Sequence, residues 1–309
     1  MTVFGHACPV AWIGQRSIDC LRHPDPRRAW PVLVRAQAFA ENAPHRDLWL
    51  SPDHAVFVDG VLIPIRQLIN GTTIEQVPVD KVSYYHVELP RHDVLFAEGL
   101  PAESYLDTGN RGTFANAGGA IDLHPMFDAP KTWRDDAAAP LAGDEARVKP
   151  VWERLAARSR ALGQPIPSVA FTGDPAVHLQ VEGRLLRPVT STRQWCRFVL
   201  PQRASSIRLL SRSGYPTDAR PWLDDGRRLG VYVSRIIWND GEGPHDMPVD
   251  HPAHEGWWDV ERAGTLLRRW TDGSALLPHW PGAVMVEFRL IGDMQYRLDA
   301  AEPGWLRAA

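Results

Sequence analysis

Residues 47–71 read DLWLSPDHAVFVDGVLIPIRQLING, and this stretch decides the fold. Three short apolar runs, at 47–50, 55–58 and 61–63, are separated by Ser-Pro-Asp-His and by Asp59-Gly60. Asp-Gly between β-branched runs signals a hairpin, because a type I′ turn needs positive φ at both central residues. The spacing therefore predicts three short strands. Pro64 can start a helical turn through IRQLIN and Gly71 can end it, since proline supplies the fixed φ of the first helical position and glycine the left-handed one after the last. Ser51 stands three residues before His54. A histidine beside a small hydroxyl residue at a strand end can polarise a peptide bond or shuttle a proton, because its pKa lies near neutrality. The plainer reading is that Ser51 and Asp53 cap a turn through local side-chain hydrogen bonds, and on spacing alone it carries more weight.

Working outward, further strands are expected at 73–77, 82–89 and 93–97. From 107 to 146 the chain turns to DTGNRGTFANAGGA and DDAAAPLAGDEA, poor in large apolar residues, so it reads as a linker or a loop draped over a neighbour. Pro150 then opens an expected helix in which Val151, Trp152, Leu155 and Leu162 recur at helical spacing, with Gly163 after its end. Short strands bounded by Gly, Pro, Asp or Ser follow to the C-terminus, with Glu182-Gly183 at a hairpin position, which is how a β-sandwich reads. The expected organisation is a mostly β protein: an all-β domain over 1–106, a polar linker over 107–146, and a β-sandwich domain led by one helix over 147–309.

The 309 residues suffice for two cores. A formal net charge of −3 gives no general excess of Lys and Arg to neutralise a phosphate backbone, so nucleic acid is not an expected partner. Cys8, Cys20 and Cys196 are odd in number and lack paired metal-ligand spacing, which argues against a disulfide framework and a structural zinc site. No stretch has the length of a membrane span or of a signal-peptide core. Cytoplasmic residence is the default expectation, with export by another route left open.

A second block qualifies the weighting of His54. The stretches PVAWIGQRSID (9–19), DLWLSPDHAVFVDGVLIPIRQLING (47–71) and VSYYHVELPRHDVLFAEGLPAESYL (82–106) resemble the bacterial Hint domains of the hedgehog/intein superfamily. The resemblance implies a compact horseshoe all-β fold and relatives that carry out self-cleavage or splicing. In that superfamily a Thr or Ser followed three residues later by His polarises the scissile peptide for an N-to-S or N-to-O acyl shift, and Ser51 and His54 occupy this pattern. Val87, Glu88, His92, Phe96, Ala97, Glu98 and Gly99 match a second block, in which His92 is the counterpart of a catalytic-block histidine.

The departures bear on activity. The family opens on a Cys or Ser nucleophile, and no equivalent stands before Trp12; Cys8 lies where the family has a strand interior. The His-Asn pair that ends inteins is replaced by Glu103 and Ser104, so splicing by Asn cyclisation is not expected. The expectation is a Hint-type domain inactive in cis, a misassigned start codon being the other account of its opening. No cofactor is expected.

In the second half, GEGPHDMPVDHPAHEGWW holds His245, Asp246, Asp250, His251, His254 and Glu255 but neither an H-E-x-x-H helix nor paired cysteines, so it reads as a polar loop rather than a metal site. EGWWDVERAGTLLRRWTDGSALLP faintly resembles a Gly-Trp … Arg-Trp-Thr-Asp-Gly module that trails such Hint domains. Trp257, Trp258, Trp270 and Asp272 are its candidate ligand-binding residues, because flat aromatic faces stack on sugar rings and Asp binds hydroxyls. Burial of these tryptophans in a sandwich core is the equal alternative. A second function class is therefore a module binding carbohydrate or a cell-surface partner, with the Hint part as scaffold.

Overall fold

The computed structural model describes residues 2–5, 7–117, 131–201, 206–252, 255–278 and 280–298. Two compact units emerge: residues 1–167 with 221–224, and residues 168–220 with 225–309.

The first unit contains β1 (Trp12–Asp19), β2 (Val32–Val34), β3 (Leu48–Leu50), β4 (Ala55–Val58), β5 (Val61–Pro64), β6 (Ile74–Gln76), β7 (Lys81–Glu88), β8 (Val94–Ala97), β9 (Leu100–Glu103) and the helix α1 (Glu145–Ala161). They form a β1–β7 ribbon, a β3-β2-β6 sheet and a β5-β4-β9-β8 sheet, every strand pair antiparallel. The Asp59-Gly60 hairpin forms as the sequence predicts, with φ of 51° and 82°. Glu98-Gly99 repeats this geometry (51° and 84°) and folds β9 back onto β8. A short 3-10 turn covers Ile65–Leu68, and Gly71 at φ 75° closes the segment after it.

The division of the chain differs from the expected one. Helix α1 belongs to the first unit: its Val148, Val151 and Leu155 are buried with Val32, Val34, Leu50, Ile63, Leu68 and Ile74 in one cluster. It starts at Glu145 rather than Pro150, because the Asp144 carboxylate accepts the Arg147 amide at 3.0 Å and caps the first turn; Pro150 falls inside the helix. Part of the expected linker is likewise structural. The Leu62 amide donates to the Pro140 carbonyl at 2.9 Å and the Ala142 amide to the Leu62 carbonyl at 2.8 Å. Trp133, Ala138 and Ala139 pack on Ala55, Leu62 and Val94. A Gly/Ala/Asp-rich composition concealed these anchors because only a few of its side chains are large. Residues 118–130 of that segment lie outside the described residues.

The second unit contains β10 (Phe171–Thr172), β11 (His178–Val181), β12 (Arg184–Leu186), β13 (Thr190–Ser191), β14 (Trp195–Val199), β15 (Ile207–Leu210), a four-residue helix α2 (Pro216–Ala219), β16 (Tyr232–Asn239), β17 (Pro244–Met247), β18 (Trp257–Ala263), β19 (Leu266–Thr271), β20 (Ser274–Leu276), β21 (Met285–Ile291) and β22 (Tyr296–Arg297). A β12-β11-β15-β20 sheet and a β13-β14-β21-β16-β19-β18 sheet, with β17 on β16, contribute to one apolar core. Leu179, Val181, Ile207 and Leu209 come from the first, and Phe198, Val233, Ile236, Val286 and Phe288 from the second. Two sheets sharing one core are a sandwich, and burying each such side chain contributes roughly 1.5–3 kcal/mol. Glu182-Gly183 makes the expected hairpin turn, with φ of 46° and 78°. Among the described residues no helix is long and apolar enough to cross a membrane.

Candidate functional site

The Ser51–His54 segment is a turn between β3 and β4. The His54 amide donates to the Ser51 carbonyl at 3.0 Å, and the His54 carbonyl accepts the Ile65 amide at 2.9 Å. The next turn is held by an Arg66–Asp53 ion pair and by the Arg66 amide on the Pro52 carbonyl at 3.1 Å. These bonds fix the backbone on both sides of His54. Both Ser51 and His54 line a cleft of about 490 Å³ whose wall includes Pro31, Trp49, Val82 and Tyr85, with Lys81 as its charged lysine.

His86, from β7, completes the same cleft. Its position follows from register: His86 pairs with Gly14 on β1, and a Cβ at Gly14 would stand 2.4 Å from the Trp12 ring and 2.8 Å from Phe114. The glycine lets Trp12, Tyr105 and Phe114 close around His86, whose ring lies 5.8 Å from Tyr105 and 5.2 Å from Phe114 between centroids, both near edge-on. The WIG motif is thus the support of a histidine. The His54 and His86 rings stand 5.8 Å apart.

Both histidines are held neutral. Burial pushes His86 down to about 4, and the proximity of His54 adds to this, while Glu103 opposes it. His54 is also lowered, chiefly by burial and further by His92, with the Glu103 carboxylate and main-chain carbonyl acting in the opposite sense. A neutral imidazole can accept a proton, as a general base must.

Behind His54 lies Glu103, at the end of β9. One of its carboxylate oxygens accepts the Ala55 amide at 2.7 Å, and its main-chain carbonyl favours the charged form of the His54 ring. The other oxygen, Oε2, is buried 3.7 Å from His92 Nε2, and neither atom has a hydrogen-bond partner among the described residues. His92 does not line the cleft. Its Nδ1 accepts the Ala138 amide at 2.9 Å, and its ring meets Trp133 edge-on at 5.6 Å. Of the three sequence candidates, Ser51 and His54 share the cleft and His92 stands one layer deeper. The sequence reading gave neither His86 nor Glu103 a catalytic role. The β1–β7 register would have pointed to His86; the signal at Glu103 was its place where inteins carry the His of their closing His-Asn pair.

The cysteines lie elsewhere. Cys8 is exposed, Cys20 is buried with its thiol pushed up, and Cys196 is buried in the second unit with its thiol pushed up to about 12 by burial. None lines the cleft. In the second unit, Trp257 is buried and its indole N–H donates to the Leu276 carbonyl at 2.7 Å. Trp258 donates to the Arg228 carbonyl at 2.9 Å, Trp270 stacks on Tyr232 at 4.3 Å, and Asp272 accepts the Ser274 amide at 2.9 Å. None of these four lines the shallow cavity of about 250 Å³ in this unit, whose wall is made by Thr190, Trp195, Arg197 and Glu287. Among the described residues, no group of three or more His, Cys, Asp or Glu is placed to hold a metal ion; His254 lies outside them.

Residues 1–109 match the Hint domain family. No curated protein and no solved structure matches the chain significantly. The match makes residues 1–109 a Hint domain, and a β-rich sandwich unit follows in the rest of the chain.

Proposed function

We propose that the cleft around His54 is a peptide-carbonyl-activating site of the processing type, and that this chain does not start self-cleavage with a thiol of its own. The observation that carries the reading is the pairing of two neutral histidines, 5.8 Å apart, in one cleft with Ser51. In the acyl shift, a cysteine Sγ attacks the carbonyl carbon before it, the C–N bond breaks as the C–S bond forms, and the thiol proton ends on the released amine. His54 moves that proton and Ser51 orients the carbonyl. An external thiol then opens the thioester.

Absence of self-cleavage is supported by the cysteines: a nucleophile must be a thiolate close to its target, whereas Cys20 and Cys196 are buried with raised thiols and Cys8 is not in the cleft. The second unit is read as a structural module. The Trp257 indole and the Arg269 guanidinium are held by main-chain carbonyls, the latter by Trp258 at 2.7 Å and His251 at 3.0 Å, which supports a packing role for the Gly-Trp … Arg-Trp-Thr-Asp-Gly segment.

The test is cleavage in trans. A synthetic peptide with an internal cysteine flanked by apolar residues is incubated with the full chain and dithiothreitol. Thiol-dependent scission before the cysteine, absent with His54→Ala, is the expected result; equal rates for both proteins would overturn it.

A further inference from the structure

Three observations around Glu103 have no role in the chemistry above. Its carboxylate is almost fully buried, yet only one oxygen is hydrogen-bonded, to the Ala55 amide, the residue immediately after His54. Its main-chain carbonyl acts on the His54 ring in the same sense as its carboxylate, favouring the charged imidazole. Its other oxygen, Oε2, faces His92 Nε2 across 3.7 Å, a gap longer than a hydrogen bond, with both atoms buried and without a hydrogen-bond partner among the described residues. Burying a half-satisfied carboxylate is costly. Such a group persists where it serves a charge that forms during function.

We infer that Glu103 is the positioning residue of the site, its carbonyl fixing the tautomer of His54 and its carboxylate stabilising the imidazolium that forms when His54 takes a proton. A carbonyl that accepts from one ring nitrogen of His54 keeps the proton of the neutral ring there and leaves the other nitrogen basic. His92 sets the far side. Its Nδ1 accepts the Ala138 amide, so a neutral His92 carries its proton on Nε2 and points it at Glu103 Oε2. The charged and titratable groups facing the histidine pair are Glu103 and His92, with Lys81, Tyr84 and Tyr85 in the cleft wall, and, towards His86, Arg16 and Tyr105. Glu103 is the carboxylate among them.

This inference rests on the processing reading for its purpose, but its physical content is testable without it. Histidine ring resonances of the full chain are followed by NMR against pH, in the wild type and in Glu103→Gln, which keeps an acceptor for the Ala55 amide. Loss of the carboxylate charge should lower the His54 midpoint further, since a nearby opposite charge favours the protonated form. Glu103→Asp should recover part of that shift. An unchanged His54 midpoint in Glu103→Gln overturns the inference. Should Glu103→Gln not fold, the wild type decides: its ring nitrogens at high pH should report one tautomer of His54, and an equal mixture would overturn the assignment. The trans cleavage assay separates the two ideas. An inactive wild type with a shifted His54 midpoint removes the processing reading and leaves Glu103 as the positioning group.

Discussion

The rings of His54 and His86 lie 5.8 Å apart and tilted by 41°, one from the turn after β3 and the other from β7, so the fold brings two segments distant in sequence to one cleft. Because each proton on one ring opposes a proton on the other, the pair resists charging. His86 should titrate near 4 and His54 below 6.5 when ring resonances are followed by NMR. A His86 midpoint near 6.5 would mean that the cage of Trp12, Tyr105 and Phe114 does not exclude water.

Stability follows from the same values. The folded-state values lie below the 6.5 of the unfolded chain, so the unfolded chain binds more protons in acid. The first unit should hold its full stability from this source above pH 6.5 and lose it as pH falls from there towards 4. Urea unfolding at a series of pH values measures this; a midpoint that rose on acidification would contradict it.

Helix α1 is predicted to stabilise the Hint-bearing unit. Leu155 is 2 % exposed within the cluster that includes Val32 and Ile74. Leu155→Ala should cost the first unit about 2–5 kcal/mol, the range for emptying a buried leucine site. Residue-resolved hydrogen exchange should show faster opening in β2 and β6 and no change in β14 or β21. The reverse pattern would place the helix with the sandwich, as sequence composition suggested.

The legible part of the fold was the part written in local turn chemistry. Asp59-Gly60 and Glu182-Gly183 demand left-handed backbone whatever surrounds them, so the hairpins could be read from dipeptides. Helix α1 was also legible as a helix, but its partner was not, because an amphipathic face records that something is buried and not against what. The segment around Trp133 that packs on Leu62 was hidden because few of its side chains are large. At the site, Ser51 and His54 were visible as a motif. His86 and Glu103 reach His54 through strand register and sheet pairing, contacts across 32 and 49 positions of chain that no short pattern encodes.

The Gly-Trp segment makes a different prediction. Gly256 has a φ of 76°, and a Cβ there would stand 2.1 Å from the Ser274 carbonyl oxygen, so the backbone of β20 approaches at a place only glycine leaves open. Gly264 is also left-handed, at 61°, but nothing lies within 4 Å of its Cβ position. Gly264→Ala should therefore cost the second unit about 1 kcal/mol, and Gly256→Ala more than about 2 kcal/mol, in thermal unfolding. Equal costs would show that close packing is not why Gly256 is there.

Thiol exposure tests the absence of self-cleavage. Intact-mass spectrometry of the full chain after incubation with dithiothreitol or hydroxylamine should return one unchanged species. A thiol-dependent fragment ending within residues 1–109 would show a nucleophile at work in the cleft.

The role proposed for His54 is activation of a peptide carbonyl. The most direct measurement is the rate of thiol-dependent cleavage of a cysteine-containing peptide added in trans to the wild type and to His54→Ala at pH 7. The account predicts scission before the cysteine by the wild type and a loss of about 10²–10⁴-fold in the variant, the usual contribution of a general acid–base. Cleavage at the same rate by both proteins would contradict it.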